Sequence, residues 1–303
     1  MRALVIDRTA PGGLRLTDVP DPLPGPDEVL VRVAATSLNH GELPLTGSAA
    51  AEEGAVPGWD AAGTVERPAA SGAGPAAGAR VVTWGWSGGW AELRAVRVDE
   101  LAVLPDKVDF VRAAALPVAG LTALRALRRA AVAPGHRVAV TGASGGVGHF
   151  AVQLARLQGA EVVAVVGDPA RGAGLTELGA GQVVSDPADI AAPVDVLLDQ
   201  VGGPLLARLL ERMADDGTVI SIGAASGLDT PLAPYRLVEK RLTLIGIQAG
   251  GRTGADLEHL ARLVAEDRLR VSASRVADWR SAGELAEDVV ARRVRGKAVL
   301  TLS

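Results

Sequence analysis

Between residues 137 and 247 the chain alternates short, almost wholly apolar runs with stretches of helical period, and few architectures accommodate that pattern. The apolar runs expected as strands are Arg137–Thr141, Glu161–Val166, Gln182–Ser185, Val194–Asp199, Thr218–Ile222 and Leu242–Ile247. Helices are expected between them at Gly148–Leu157, Arg171–Leu178 and Pro204–Ala214. A strand that is apolar on both sides must be covered on both sides, and a helix between two strands returns the second parallel to the first. The prediction is an α/β fold built on a doubly wound parallel sheet. Its last strand, Leu242–Ile247, leaves an edge that needs covering, which points to a homodimer.

The flanks read differently. Over residues 1–104 the β-like runs Ala3–Ile6, Glu28–Ala34, Gly63–Glu66, Arg80–Thr83 and Ala91–Val98 are divided by Pro and Gly, as in a small β-rich domain. A helix is expected over Phe110–Leu127. Beyond Gly250 come a helix (Gly254–Asp267), a strand near Val271–Val276, a helix (Ala282–Arg292) and a strand (Ala298–Leu302). Periodicity alone leaves open which domain these join. With 303 residues, two domains are the natural division, and with only 3% aromatics their cores rest on Ala, Val and Leu.

Bulk properties exclude several functions. A net charge of −4 gives no electrostatic basis for binding nucleic acid. Zero cysteines remove disulfides and thiolate metal ligands together. No run approaches 18 apolar residues, and Asp7 interrupts the N-terminal apolar stretch after four residues, so neither a membrane span nor an export signal is expected and the cytoplasm is the expected compartment.

The strongest chemical signal is Ala143-Ser144-Gly145-Gly146-Val147-Gly148, directly after the strand Arg137–Thr141 and opening a helix. Glycines there let the backbone approach a pyrophosphate, which meets free N–H groups and the positive end of the helix. On this reading Ala143 occupies the first glycine place of the usual dinucleotide pattern, with Gly145 and Gly148 in the others. The next strand ends in Gly167-Asp168-Pro169-Ala170-Arg171. Asp168 suits a ribose hydroxyl or an N-cap; Arg171, after the small Gly167, suits a 2′-phosphate or a solvated surface position, and NADPH is the favoured cofactor. Asp199–Gly203 and Gly223-Ala224 sit at later strand ends, where ligands of such sheets bind and where ordinary turns also occur.

Taken with Ser37-Leu38-Asn39-His40, Pro57–Gly63, Ala114–Ala123 and Gly296–Leu300, this turn makes the whole chain resemble the medium-chain dehydrogenase/reductase superfamily, in its quinone oxidoreductase-like and enoyl reductase-like branch. The resemblance implies a GroES-like catalytic domain (1–117 and 248–303) with a Rossmann dinucleotide-binding domain (118–247) inserted. It implies nicotinamide near Asn39 and Thr122, between the domains, with Gly223 and Ala224 beside it.

In the zinc members of this superfamily a Cys stands at the place of Asn39 and a His at that of Trp59, and a cysteine-rich loop holds a second metal; the resemblance therefore implies a zinc-independent enzyme. Without a Lewis acid an alkoxide is poorly stabilised, whereas a quinone or enone spreads the developing charge onto a remote oxygen. The expected substrate is such a small-molecule acceptor. Asn39 and His40 are the candidate catalytic residues, His40 as a proton donor or a packing residue, and Trp59 and Trp86 are the candidate walls for a planar substrate, with packing as the alternative. Gly41 and Pro44 stand where relatives carry a relay hydroxyl and a tyrosine. A non-catalytic NADPH-binding protein and an alcohol dehydrogenase are the competing readings.

Overall fold

The structure, a computed structural model, describes residues 1–48 and 51–302. Its chain divides into two compact units, residues 1–121 with 250–303 and residues 122–249.

The first unit opens with an antiparallel pair, β1 (Arg2–Ile6) and β2 (Leu14–Asp18). The strand β3 (Glu28–Leu38) follows, then a short helix α1 (Leu43–Thr46), β4 (Asp60–Arg67), β5 (Arg80–Trp84), β6 (Leu93–Arg97) and β7 (Leu101–Val103). Two helices, α2 (Phe110–Ala114) and α3 (Pro117–Arg129), stand where a single helix was expected over Phe110–Leu127. Pro117 lacks the N–H to continue the first, and it drives the preceding residue away from helical angles.

The second unit carries β8 (Arg137–Thr141), α4 (Gly146–Leu157), β9 (Glu161–Val165), β10 (Gln182–Val184), β11 (Val194–Asp199), α5 (Gly203–Leu210), β12 (Met213–Ser221), α6 (Pro234–Glu239) and β13 (Thr243–Gly246). Its six strands are all parallel, in the order β10-β9-β8-β11-β12-β13. This is the doubly wound sheet the alternation predicts. Its order turns about β8, between β8 and β11, and ligands of such sheets generally bind in the crevice outside the carboxyl ends of the strands at that point.

Two helices depart from expectation. Arg171–Leu178 is not helical: a 3-10 turn over Pro169–Gly172 is followed by turns, because two of its residues are Gly172 and Gly174, the latter at φ +82°. Pro204–Ala214 is too long, since the helix ends at Leu210 and Met213 already pairs in register with Val194.

The final segment, α7 (Gly254–Ala265), β14 (Ala273–Asp278), α8 (Ala282–Val290) and β15 (Lys297–Thr301), belongs to the first unit. There β15 inserts between β14 and β3, giving the order β14-β15-β3-β4-β5-β7, with β6 also on β3. That insertion places the last strand of the chain beside the residues that follow β3.

Candidate functional site in two parts

Register builds the first part. Ala298 on β15 faces Leu38 on β3, and Ala61 on β4 faces Thr36. One step further along, Lys297, Asn39, Ser37 and Asp60 converge from three adjacent strands. All are buried: Asp60 is 0% exposed, Lys297 4% and Asn39 7%. Asp60 Oδ2 accepts from Ser37 Oγ at 2.6 Å, Asn39 Nδ2 at 3.0 Å and Lys297 Nζ at 3.3 Å, while Oδ1 accepts from the Val118 backbone N–H at 2.9 Å. Lys297 also donates to Asn39 Oδ1.

The turn after β3 adds a second carboxyl. Glu42 Oε1 accepts from Asn39 N at 2.8 Å and from Asn39 Nδ2 at 2.9 Å, and Oε2 accepts from Trp59 N at 3.0 Å. Burial, and then the charge of Asp60, push the Glu42 carboxyl up to about 8, against the hydrogen bonds from Asn39 and the charge of Lys297. Beneath the Trp59 loop lies Arg94, 2% exposed, which donates to Thr83 Oγ1 at 2.9 Å and to the carbonyls of Trp59 and Ser87, each at 3.1 Å. Burial lowers this guanidinium to about 10, so it stays charged near neutral pH.

The sequence-predicted residues of this unit fall around that cluster. The Asn39 amide is bonded at both ends, to Glu42 and Asp60 as donor and to Lys297 as acceptor. His40 is half-buried, next to it. Trp59 and Trp86 meet edge-on at 5.4 Å between ring centroids, and Trp86 meets Trp84 at 5.0 Å. Trp86 is 51% exposed and Trp84 is buried, so one indole faces outward from a fixed base. Gly41 stands against Trp59, whose ring lies 3.7 Å from where a Cβ would be. Trp90 separates from this group and joins the core with Leu4, Leu43 and Trp279, donating to the Ser37 carbonyl. Glu42, Asp60, Lys297 and Arg94 were not singled out as site residues from sequence. The acidic Asp60 and basic Lys297 inside otherwise apolar strand patterns were the available signal.

In the second unit the glycine turn crosses the end of β8. Gly142, at φ +58°, takes the tight turn that the sequence reading gave to Ala143, while Ala143 is a fully buried packing residue. Gly145 caps α4 in extended conformation, leaving the helix's first N–H groups without intrahelical acceptors. At Gly148 a Cβ would lie 2.4 Å from the Gly142 carbonyl oxygen, so only glycine lets helix and turn approach. Gly146 and Val147 fill the first turn of the helix.

The neighbouring loops complete this part. Arg171 Nε donates to Ser144 Oγ at 2.9 Å, joining the turn after β9 to the glycine turn. Beside it Gly167 has open space, and Asp168 caps the 3-10 turn by accepting from Ala170 N. Between the ends of β8 and β11, Asp199 accepts from Thr141 Oγ1 at 2.8 Å, Gly202 N at 2.9 Å and Val201 N at 3.3 Å. Burial raises the Asp199 carboxyl and these bonds oppose the rise. Gly223 packs close to the Gln200 carbonyl, Ala224 lies by Gly202, and Thr122 is buried in α3. A positively polarised helix start, a glycine-only approach and an arginine on the adjoining loop together fit a phosphorylated dinucleotide.

Comparison with known proteins adds independent findings. Residues 25–106 match the family described as alcohol dehydrogenase GroES-like domain, and residues 146–266 match zinc-binding dehydrogenase. The chain is 32% identical to the acrylyl-CoA reductase AcuI of Ruegeria pomeroyi, over 99% of both chains. It is 29% identical to a mouse quinone oxidoreductase, over 87% of this chain and 85% of the relative. Among solved structures, the quinone oxidoreductase from Coxiella burnetii superposes with a TM-score of 0.89 at 28% identity, covering 100% of this chain and 99% of that one. A mycobacterial protein complexed with NADPH superposes at 0.86 with 26% identity, covering 99% and 100%. Among the described residues no helix is long and apolar enough to cross a membrane, and no three His, Asp or Glu side chains gather as a metal site.

Proposed function

This chain is an oxidoreductase of the medium-chain dehydrogenase/reductase superfamily, in its quinone and enoyl reductase-like branch, and from that premise we propose that it is an NADPH-dependent reductase of quinones or α,β-unsaturated carbonyls that works without zinc. The observation that carries the proposal is the spent amide of Asn39. At the place where zinc members carry a ligand, both ends of this side chain are bonded to Glu42, Asp60 and Lys297.

When bound, NADPH supplies hydride from its nicotinamide ring. The chain's own residues do the rest. Gly145, Gly146, Val147 and Gly148 offer backbone N–H groups and close approach to the diphosphate, with Ala143 packing the turn from below. Arg171, held by Ser144 beside the open Gly167, takes the 2′-phosphate. Thr122, Gly223 and Ala224 border the nicotinamide half. In the first unit, Trp59 and Trp86 present flat indole surfaces to a planar acceptor, and His40 donates to its oxygen. Orientation is then the main contribution, because a conjugated acceptor already carries the developing charge away from the carbon attacked. The names of the relatives, a reductase of an unsaturated thioester and quinone oxidoreductases, agree in one property, a conjugated acceptor.

The direct test mixes the purified protein with NADPH and a panel of quinones and enones. Oxidation above background with at least one acceptor is expected; none across the panel, despite tight NADPH binding, would leave a nucleotide-binding protein instead. Support for a homodimer comes from β13, one of the sheet's two edge strands, with Leu228, Tyr235, Val238 and Leu244 exposed in the same unit. Light scattering at working concentration should return twice the chain mass.

A further inference from the structure

Glu42 joins two separate segments through one carboxyl group. On one side lies the turn after β3, through the backbone and side-chain N–H groups of Asn39; on the other lies the Trp59 loop, through a single backbone N–H. Trp59 bears the indole that stands against Gly41 and meets the edge of Trp86. Glu42 makes no ion pair of its own among the described residues. The charged groups facing it are Asp60 on β4, Lys297 on β15 and Arg94 on β6, and His40 is the titratable group two residues before it on its own turn.

Asn39 Nδ2 bridges the two carboxyls, and Lys297 Nζ pairs with Asp60 at 3.3 Å, so the cation of the cluster sits on the Asp60 side. A neutral acid accepts three N–H bonds weakly, whereas a carboxylate draws the same donors in with shorter, charge-assisted bonds. Two of those donors belong to Asn39, which Lys297 and Asp60 already fix; the third is the Trp59 backbone N–H, whose carbonyl is held by Arg94 and the Gly85 N–H, so a change at Glu42 reaches the Trp59 loop through that one N–H.

We propose that Glu42 is a positioning residue whose proton sets where the Trp59 indole stands, and through it the fit of the acceptor. The last clause rests on the reductase reading above; the coupling of Glu42 to Trp59 does not. Because the carboxyl is pushed up to about 8, the change falls just above neutral pH.

The test is a fluorescence titration of the full-length protein without ligand, from about pH 6 to about pH 10. The wild-type protein should show a transition near pH 8 that is absent in Glu42→Gln and in Trp59→Phe and retained in His40→Asn. The Trp59→Phe arm leaves the buried cluster intact, so it decides even if Glu42→Gln folds poorly. A transition that survives in Trp59→Phe, or no transition in the wild type, overturns the coupling. In a second arm, the KM for a quinone accepted by the enzyme should rise by about threefold or more across the same interval, with a smaller change in kcat and no change in Glu42→Gln. A fluorescence transition with a flat KM overturns the effect on acceptor fit. Absence of any turnover strikes the proposed function instead and leaves the fluorescence result standing.

Discussion

Both units bury a carboxylate where a strand ends, and they neutralise it in opposite ways. In the first, Asp60 meets the ammonium of Lys297, a partner 237 residues away, and shares the Asn39 amide with Glu42. In the second, Asp199 has only neutral donors, all from its own loop or the adjoining strand end: a threonine hydroxyl and two backbone N–H groups. The difference teaches where each of the two clusters gets its order. A local ring of N–H and O–H donors shapes a loop as the loop forms. A buried ion pair joins segments 237 residues apart, so its geometry exists only once β15 has docked beside β3.

Removing a charge from the first cluster should therefore do the most damage. Lys297→Met strands Asp60 without its cation and is expected to cost about 3–5 kcal/mol, read from urea unfolding of the whole chain. A loss under about 1 kcal/mol would show that the pair is not what secures that junction. In the second unit the loss is expected to be smaller. Thr141→Val takes one neutral donor from Asp199 and should cost about 1–3 kcal/mol, with weaker NADPH binding by calorimetry. An equal or larger cost than Lys297→Met would remove the distinction between the two regions.

Arg171→Met sharpens the comparison at the level of ligand. It should weaken NADPH by about 1.5–3 kcal/mol, or roughly 10- to 150-fold in Kd, and leave NADH nearly unchanged. Equal weakening of both cofactors would place Arg171 outside the 2′-phosphate site.

The smallest effect is the pH dependence of stability. The folded protein keeps the Glu42 proton up to about 8, while the unfolded chain releases it near the ordinary glutamate value, so the native state binds more protons in between. Stability then falls as pH rises through that window and levels off above it. From pH 6 to pH 7 the Glu42 share of the fall should be at most about 1.4 kcal/mol, and Glu42→Gln should remove that share. Asp199, also raised by burial, contributes a slope of the same sign that survives in that variant.

Much of the second unit was legible before any coordinates. The glycine turn, the strands around it and Arg171 are local signals, because a phosphate cradle is made of consecutive residues and a buried parallel strand advertises itself by unbroken apolarity. The departures from these signals are also local: Gly142 rather than Ala143 takes the left-handed turn, and two glycines dissolve the helix expected over Arg171–Leu178. The first unit was less legible. Trp59 and Trp86 were selected for their chemistry, but that they meet each other and leave Trp90 to the core depends on the loops that bring them together.

By itself the sequence determined the alternating α/β unit and the glycine turn that opens its first helix, because each resides in residue types at fixed short spacings. Only the tertiary structure decided that Lys297 lies across from Asn39 and that Asp60 and Glu42 share one amide. Those facts depend on strand register between segments far apart in the chain, and a pairing that is set by the burial of whole sheet faces leaves no mark in the spacing of the residues it joins.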